Sequence, residues 1–484
     1  METIYDKSEE GKQGTSFPES SLSEREPGAE LDSELTRSED PELPEVSQPE
    51  LMRHYTKLSK KNYGVDDGLY PLGSCTMKHN PKPMEDLAED SRFQGHHPLA
   101  SEDVVQGNLR LAYELGEYLK DIGGMDGITL QPAAGAHGEL TGMLMIRKYH
   151  AENDALDQRN KILLPDSSHG TNPASATVAG FEAVEIESNE QGTVDLEQLR
   201  EAAGDDTAGI MLTVPNTLGI FEKDIIEVAE IVHGAGGLCY FDGANLNAFL
   251  GRVRPGDIGM DITHFNLHKT FSTPHGGGGP GAGPVGVKEE LVPYLPVPTV
   301  EENDGKYEFD YDRPDSIGKV NSFPGPFGVM VKAYSYIKAI GDEGLKDVSG
   351  NAVLNANYLK EKLKEDYEVA YEGLCKHEFV LSGQNVGDDV KTVDIAKRIL
   401  DYGYHPPTVY FPLIVKEALM VEPTETESRE SLDEFADAMH EIAREAREKP
   451  ELLHEAPEQT PVGRLDETQA AREPVLRWRS EDKD

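Results

Sequence analysis

The chain has 484 residues, of which 37% are hydrophobic, and its formal net charge is −44. This length exceeds one ordinary domain, and the apolar content suffices for a large folded body. The acidic balance excludes functions that depend on attraction to DNA, RNA or anionic lipid head groups, because the surface would repel them. Charge of this sign and size favours solubility in high salt, so we expect a halophilic source.

The sequence also bears on the cellular compartment. Its three cysteines, Cys75, Cys239 and Cys375, form neither a CxxC pair nor a zinc-ligand spacing, which is typical of a reduced cytoplasm. No apolar run approaches the ~18 residues of a membrane-spanning helix, and the acidic residues that follow Met1 do not resemble a secretory signal. We therefore expect a soluble cytoplasmic protein that is not exported.

Composition divides the chain into five segments. Residues 1–48 combine clustered Glu and Asp with almost no aromatic residues, which predicts a disordered acidic tail. Aromatic and turn residues return between 49 and 95 without a long periodic segment, and this pattern indicates an arm that lies over another part of the protein. A large domain over 96–330, a smaller C-terminal domain over 331–450 and a polar extension over 451–484 complete the prediction.

The predicted large domain alternates short apolar runs with helical patterns. Buried strands are predicted at 161–164, 208–214 and 238–242. The helices between them include 138–150, 195–203 and 224–234. This alternation is typical of an α/β domain with a mainly parallel sheet.

After residue 326 the pattern changes to two long helical stretches, a strand at 378–382, a helix near 391–401 and a final helix from about 428. The final helix carries an apolar stripe made of Leu432, Phe435, Met439 and Ile442. The simplest interpretation is a small α+β domain.

Residues 128–139 run from a strand through a turn of small residues into a helix. A helix N-terminus offers free backbone N–H groups and a positive dipole end, and small residues let a phosphate approach them. Ala134, Gly135 and Ala136 would form this phosphate cradle, and His137 could lie flat against an aromatic cofactor bound there. An ordinary strand-to-helix turn with a surface histidine is the alternative.

Asp242 ends the apolar run 238–242, and ligands of open α/β sheets bind at the carboxyl ends of the strands. A carboxylate at that edge can keep a pyridine nitrogen protonated, which makes the ring an electron sink. Considered alone, Asp242 could equally be a turn or helix-cap residue.

Lys269 follows the apolar run that begins at Ile262, and a glycine-rich stretch follows it at 276–279. A lysine that closes an apolar strand is partly desolvated, which frees the amine to attack an aldehyde. The alternatives are a solvated lysine and a merely flexible glycine loop.

Competing motifs fail on detail. The GxGxxG match at 281–286 is interrupted by a proline and follows a loop, and the HGGG run that begins at His275 has no GxSxG partner. By contrast, a phosphate turn, then Asp242, then Lys269 in the next strand-like segment is the order found in fold-type-I pyridoxal-phosphate enzymes.

Several longer runs resemble one family. They are Gly73-Ser-Cys-Thr-Met-Lys78, Gln131-Pro-Ala-Ala-Gly-Ala-His-Gly-Glu139, His169-Gly-Thr-Asn-Pro-Ala-Ser-Ala176, Asp242-Gly-Ala-Asn-Leu-Asn-Ala248, Asn266-Leu-His-Lys-Thr-Phe271, His275-Gly-Gly-Gly-Gly-Pro280, Tyr404-His-Pro-Pro-Thr-Val-Tyr-Phe-Pro412 and Glu422-Pro-Thr-Glu-Thr-Glu427. Together they resemble the glycine cleavage system P-protein, glycine dehydrogenase (decarboxylating), over roughly residues 50 to 445.

This resemblance implies a fold and an assembly. The fold is α/β and fold-type-I pyridoxal-phosphate transferase-like, with a mainly parallel seven-stranded sheet in the large domain, a smaller α+β domain and an N-terminal arm. The chain is similar to subunit 2 of the two-chain forms, so the expected partners are subunit 1, in a heterotetramer with two copies of each chain, and lipoylated H-protein. The arm with Ser74, Cys75 and Lys78 would then reach a subunit boundary near the active site, unless it is an ordinary packed arm.

The resemblance also implies roles for individual residues. Glycine would displace Lys269 from pyridoxal 5'-phosphate, Asp242 would hold the protonated ring, and the aminomethyl group left after loss of CO2 would pass to the lipoyl disulfide of H-protein. We expect phosphate contacts from Ala134 and Gly135 with help from Thr270, and stacking from His137. Further cofactor contacts, each with a purely structural alternative, are Asn216, Thr217, Asn245 and His268. Residues 133–134 read Ala-Ala where many relatives have Asn-Ser, which leaves phosphate binding more dependent on backbone N–H groups.

Two other hypotheses remain open at this point. One is a different fold-type-I reaction, such as amino transfer or hydroxymethyl transfer. The other is a non-catalytic scaffold that keeps the fold without the cofactor, although such a scaffold has no use for the pair Asp242 and Lys269.

Overall fold

The computed structural model describes residues 2–16, 18–19, 21, 31–32, 34–39, 41–276 and 278–478. The chain divides into two compact units, Met1–Tyr63 with Pro461–Asp484, and Gly64–Thr460. Parts of the predicted acidic tail (22–30), of the glycine-rich stretch (277) and of the polar extension (479–484) lie outside the described residues. Among the helices that the structure describes, none is both long and apolar enough to cross a membrane.

The α-helices are α1 (Gln48–Ser59), α2 (Lys82–Ala88), α3 (Ser91–Gln94), α4 (Gln106–Gly123), α5 (Gly135–Glu152), α6 (Asn172–Val178), α7 (Leu196–Ala202), α8 (Ile225–Gly234), α9 (Phe327–Leu363), α10 (Thr392–Asp401), α11 (Arg429–Glu448), α12 (Glu451–Glu455) and α13 (Glu467–Arg472). The strands are β1 (Gly127–Thr129), β2 (Lys161–Pro165), β3 (Glu182–Ile186), β4 (Thr207–Thr213), β5 (Leu238–Gly243), β6 (Ile262–Phe265), β7 (Val285–Val287), β8 (Thr299–Asn303), β9 (Lys306–Asp310), β10 (Glu368–Val369), β11 (Phe379–Ser382), β12 (Thr408–Val409) and β13 (Ala418–Val421). Short 3-10 helices lie at Tyr5–Lys7, Glu102–Val104, Leu246–Ala248, Pro255–Ile258 and Glu289–Tyr294.

A seven-stranded sheet in the order β1-β7-β6-β5-β4-β2-β3 forms the centre of the large α/β body. Strands β3, β2, β4, β5 and β6 pair in parallel, and β7 is antiparallel to both of its neighbours. Every residue of β4 and β5 is buried, because helices cover both faces of the sheet. The predicted strands at 161–164, 208–214 and 238–242 are therefore confirmed, as is the mainly parallel seven-stranded sheet.

A smaller antiparallel sheet, in the order β10-β11-β13-β12, lies in the C-terminal part of the same unit. Helix α11 packs against it through the predicted stripe, and all four stripe residues are buried in one core cluster. The predicted strand at 378–382 and helix near 391–401 correspond to β11 and α10. The α+β description of this part is confirmed, whereas the segment boundaries at 95, 330 and 450 stay predictions.

Helix α9 spans 37 residues but bends at Gly341, where φ is 64° and ψ is −174°. Residues before the bend, such as Met330 and Ile337, join the core of the large sheet. Leu345, just beyond the bend, also joins that core, and residues farther along, such as Leu359 and Leu363, join the core of the small sheet. The two predicted helical stretches are thus the two halves of one bent helix that links both cores.

The bend gives a test of glycine's role in the fold. An alanine at Gly341 should lower the free energy of unfolding by about 1–3 kcal/mol, because this backbone conformation is open almost only to glycine. Gly328→Ala is the matched control, since an added Cβ meets nothing within 4 Å at either position and the control should stay within about 0.5 kcal/mol. Chemical denaturation of both variants measures the difference, and equal effects would contradict the argument.

Two local expectations need correction. The segment 49–95 was expected to lack a long periodic element, yet α1 occupies twelve residues of chain from Gln48. The missed signal was a capping box, in which Ser47 and Glu50 bond reciprocally, with a proline in the first turn. In addition, Lys269 does not close a strand, because β6 ends at Phe265 and the lysine lies in the turn that follows.

Candidate active site

The predicted phosphate cradle is a helix start whose N–H groups are open. Helix α5 begins at Gly135, and no side chain among the described residues caps it at Ala134, which is extended and exposed. Two positions at the turn admit only glycine, since a Cβ on Gly135 would lie 2.5 Å from Asn266 Oδ1, and one on Gly283 would lie 2.1 Å from the Ala134 carbonyl oxygen. The geometry therefore suits an anion held by backbone N–H groups.

His137 lies in the first turn of α5 and is half-buried. Its Nδ1 accepts a hydrogen bond of 3.2 Å from the backbone N–H of Ala133. The ring is thus folded back over the cradle turn, next to the place where the phosphate is expected.

Asp242 lies at the carboxyl end of β5 and is almost completely buried. Its Oδ2 accepts bonds from Asn172 Nδ2 at 3.1 Å and Thr213 Oγ1 at 3.3 Å, and its Oδ1 accepts from the Ala244 N–H at 3.0 Å. Burial opposes ionisation, but His264 and the other polar neighbours outweigh it and lower the pKa of the carboxyl. The site therefore holds an ionised carboxylate at neutral pH, as a partner for a protonated ring nitrogen requires.

His264 stands beside Asp242 on the neighbouring strand, in direct register. The Tyr240 hydroxyl bonds to its Nδ1 at 2.7 Å, and its Nε2 lies 3.4 Å from Asp242 Oδ1. Burial lowers the pKa of His264, so the ring is neutral. In the tautomer with its proton on Nε2, Nδ1 accepts from Tyr240 and the Nε2–H faces the carboxylate.

Lys269 is buried, with 8% of its surface exposed, although it lies in a turn. Its backbone N–H donates to the Asn266 carbonyl at 3.1 Å, which ties it to the residue beneath the cradle. Its Nζ donates to the carbonyl of Ser74, in the predicted arm, at 2.6 Å. The arm therefore supplies the cover that the sequence argument had assigned to the end of a strand.

The remaining predicted contacts differ in what their polar atoms already bind. The Thr217 hydroxyl donates to the Ser167 carbonyl. Asn216 donates to the Gly192 carbonyl, in the segment between β3 and α7, and accepts from the N–H groups of Leu218 and Ile220 in its own loop. Thr270 Oγ1 and Asn245 Oδ1 are buried without a hydrogen-bond partner in the described part of the chain. Burial, helped by Lys269, lowers the pKa of His268 to about 3, so that ring is neutral.

Known proteins resemble this chain over nearly its whole length. The family model described as glycine dehydrogenase, C-terminal domain, matches residues 348–459, and the aminotransferase class-V model matches residues 143–290. A relative named probable glycine dehydrogenase (decarboxylating) subunit 2, from Caldanaerobacter subterraneus subsp. tengcongensis, is 60% identical over 98% of this chain and 98% of its own length. The protein of the same name from Bacillus velezensis is 58% identical over 98% of this chain and 97% of its own.

This chain belongs to the glycine dehydrogenase (decarboxylating) subunit 2 family.

Solved structures support the fold. A crystal structure of glycine decarboxylase (P-protein) of the glycine cleavage system, in inhibitor-bound form, matches with a TM-score of 0.72 at 21% identity, over 86% of this chain and 94% of that one. Glutamate decarboxylase from Lactobacillus brevis matches with a TM-score of 0.65 at 12% identity, over 86% of this chain and 97% of its own. The expected fold-type-I class is confirmed for this member of the subunit 2 family.

Sequence reasoning missed several polar residues around Asp242. Asn172 bonds both Asp242 and Thr213, and both the carboxylate and Lys269 act on the pKa of His169, which burial lowers overall. The His169 ring therefore lies within electrostatic reach of both key residues. Asn172 and His169 both lie in the run 169–176 that resembles the family, but the sequence does not show which atoms they contact.

Glu139 is a second buried carboxyl near Asp242. Its oxygens accept from Thr171 Oγ1 at 2.7 Å and Ser175 Oγ at 2.9 Å, on the segment that positions Asn172. Burial, followed by repulsion from Asp242, raises the pKa of Glu139 to about 7. This residue connects the cradle helix α5 to the support of Asp242.

The raised pKa of Glu139 makes a pH-dependent contribution to stability. Between about pH 4.5 and pH 7 the unfolded chain has lost this proton and the folded chain keeps it, so stability falls as pH rises, by on the order of 3 kcal/mol. Glu139→Gln should remove this slope. In the cofactor-free protein, the variant should therefore gain thermal stability relative to the parent at about pH 8 compared with pH 5. A difference that does not change with pH would contradict the assignment.

Proposed function

We propose that this chain is the cofactor-binding subunit of a glycine decarboxylase. It binds pyridoxal 5'-phosphate through Lys269, removes CO2 from glycine and passes the aminomethyl group to the lipoyl cofactor of H-protein. The observation that carries the proposal is that the α5 cradle and Lys269 both contact Asn266, and that Asp242 and Lys269 both act on His169. The chain is 58–60% identical to two relatives named for this reaction.

The residues present fit the cofactor. The cradle is a helix N-terminus without a side-chain cap, and it has glycines where the backbone is approached closely. The buried Thr270 Oγ1 lacks a partner within the described residues, so its hydroxyl is free to bind a phosphate oxygen. The ionised carboxylate of Asp242 suits a protonated pyridine nitrogen. A buried amine at Lys269 completes the set that the cofactor needs.

These residues divide the binding as follows. Backbone N–H groups at Ala134 and Gly135, with Thr270, would hold the phosphate. His137 and His169 would contact the ring face and its substituents, and Asp242 would hold the ring nitrogen. Asn245, Thr217 and His268 would line the rest of the site. When bound, the cofactor supplies an electron sink that draws electrons from the bond between glycine's α-carbon and its carboxylate.

The chain itself contributes charge and orientation. Asp242 keeps its negative charge because Asn172 Nδ2, Thr213 Oγ1 and the Ala244 N–H donate hydrogen bonds to its oxygens. The Ser74 carbonyl accepts a hydrogen bond from the Lys269 amine. This bond fixes the direction from which the amine approaches the cofactor. Burial at this point also excludes water from the reacting groups.

The proposal includes partners. Subunit 1 would complete an assembly with two copies of each chain in the cytoplasm, and lipoylated H-protein would accept the aminomethyl group. The net charge of −44 supports the further proposal of a halophilic source.

The test is exchange of labelled bicarbonate into the carboxyl group of glycine. Exchange should require pyridoxal phosphate, H-protein and subunit 1 together. A 2-oxo acid product would instead indicate amino transfer, and a chain that stays colourless with added pyridoxal phosphate would indicate a scaffold. Size measurement of the mixed subunits tests the stoichiometry separately.

A further inference from the structure

The arm crosses Lys269 in a backbone conformation that ordinary residues avoid. In the loop formed by residues 73–76, here called the arm loop, Ser74 has φ 66° and Thr76 has φ 51°. Residues other than glycine rarely adopt this left-handed backbone conformation. They keep it only where contacts with their surroundings stabilise it. The conformation of the arm loop is therefore imposed by its contacts.

Two glutamates from the small sheet supply those contacts. Glu378, just before β11, accepts from the Ser74 N–H through Oε2 at 2.8 Å. Glu422, just after β13, accepts from the Thr76 N–H at 3.0 Å and from the Thr76 hydroxyl at 2.7 Å. Each left-handed residue of the arm loop thus donates its backbone N–H to one buried carboxyl.

Neighbouring backbone contacts fix the start of the arm loop. The Gly73 N–H donates to the Met420 carbonyl at 3.3 Å, and the Thr408 hydroxyl donates to the Gly73 carbonyl at 2.8 Å. Gly73 packs so closely that a Cβ there would lie 2.3 Å from Met420 Cγ. The small sheet therefore fixes both ends of the peptide units that face Lys269.

Both carboxyls are fully buried and electrostatically coupled to Lys269. Burial raises the pKa of Glu378 well above its usual range and that of Glu422 to about 7, and in both cases the Lys269 amine opposes the increase. His377 Nε2 lies 3.5 Å from the second oxygen of Glu378. At neutral pH Glu378 is a neutral acid, so what it offers the arm loop is a hydrogen-bond acceptor rather than a charge.

We propose that Glu378 and Glu422 are positioning residues for Lys269, which hold the arm loop in its left-handed conformation so that the Ser74 carbonyl aims the amine at the cofactor site. The Ser74 carbonyl accepts from Lys269 Nζ at 2.6 Å, and its peptide direction follows from the left-handed residues on which the two carboxyls act. This inference rests on the proposed cofactor role of Lys269. The small sheet would thereby position the lysine that lies beside the large sheet.

A lysine side chain has several rotatable bonds, so an amine without a fixed acceptor spends little time in one direction. Fixing it should accelerate the capture of an aldehyde, because the reacting atoms then meet in one orientation. Loss of the glutamate contacts to the arm loop should slow the capture of the aldehyde without removing the amine. The effect is therefore on a rate, and it is separable from folding.

The experiment measures the rate at which the cofactor-free chain captures pyridoxal 5'-phosphate, followed by stopped-flow visible absorption. Glu378→Ala should slow capture by about tenfold, since it leaves the Ser74 N–H without its acceptor and releases the arm loop. Glu378→Gln should remain within about twofold of the parent, because a neutral amide oxygen accepts the same bond. This rescue by the conservative variant is a result that general destabilisation would not give.

Glu222→Ala is the matched control. Glu222 is also a buried carboxyl whose pKa is raised by burial and which accepts a backbone N–H, from Val194 at 2.7 Å. It has no contact with the arm loop among the hydrogen bonds of the described residues. Capture by Glu222→Ala should match the parent, and equal slowing in both alanine variants would overturn the proposal.

Ser74→Pro provides a second route if Glu378→Ala does not fold. Proline removes the Ser74 N–H and excludes a positive φ, so it should slow capture as the glutamate variant does. Capture at the parent rate in folded Glu378→Ala or Ser74→Pro would overturn this inference but not the proposed function. Slow capture in Glu378→Ala that Glu378→Gln does not restore would do the same. A parent chain that captures no pyridoxal phosphate on Lys269 would overturn the proposed function as well.

Discussion

Replacing Lys269 by alanine should abolish glycine-bicarbonate exchange, with a loss of about a thousandfold or more, since it removes the only amine that the site directs at the cofactor among the described residues. The variant should still fold, because the lysine lies in a turn and its loss leaves Glu378 and Glu422 as buried neutral acids. The positive charge of Lys269 lowers the pKa of both carboxyls, so its removal raises those values further and favours the protonated forms.

Borohydride reduction of the loaded enzyme, followed by peptide mapping, identifies the amine directly. The pyridoxyl label should lie on Lys269 in the parent and be absent from the alanine variant. Lys78 is the informative competitor, because it is also buried, donates to the Thr270 carbonyl at 2.9 Å and pairs with Glu425. A label on Lys78 in the parent would reject the assignment.

The fold could be predicted from the sequence because the apolar runs that form its strands are local features. Strands such as β4 and β5 are apolar throughout, since helices cover both faces of the sheet, and an uninterrupted apolar run between helical patterns is visible without the structure. Asp242 was readable for the same reason, as a carboxylate that ends such a run. The helix bounds at α5, α8, α10 and α11 agree with the expected spans to within a few residues.

The protection of Lys269 was not readable in this way. A strand end was expected to bury this lysine, but the cover comes from Ser74, which is 195 positions away along the chain. Glu378 and Glu422 bind the arm loop across 304 and 346 positions. No local pattern encodes such contacts, because they depend on how the small sheet packs against the arm.

The hydrogen bonds that support Asp242 could be predicted only in part. Asn172 belongs to a run that the sequence had already singled out, yet its bond to the carboxylate follows from the turn after β2 and not from its spacing. The pKa of Glu139 depends on burial beneath the same turn. Residue types can suggest such a network, but the sign of a pKa shift requires the packed site.

Asp242→Asn should leave cofactor capture intact and reduce glycine-bicarbonate exchange by about a hundredfold or more. The amide is close in size but neutral, so it cannot stabilise the protonated ring nitrogen on which the electron sink depends. The donors around it, Asn172 Nδ2 and the Ala244 N–H, then face an amide with a single acceptor oxygen, which adds a modest loss of stability. Exchange and the borohydride label on Lys269 are measured on the same preparation.

The matched control is Asp261→Asn. Asp261 also accepts a backbone N–H, from Cys239 at 2.7 Å, but it lies just before β6, at the opposite edge of the sheet from the carboxyl end of β5. Its variant should keep exchange near the parent level. If Asp242→Asn retained exchange within about tenfold of the parent, the ring nitrogen would have another partner. The buried donors and His264 would then hold Asp242 ionised only to organise the end of β5, and the electron sink would need a different source of protonation.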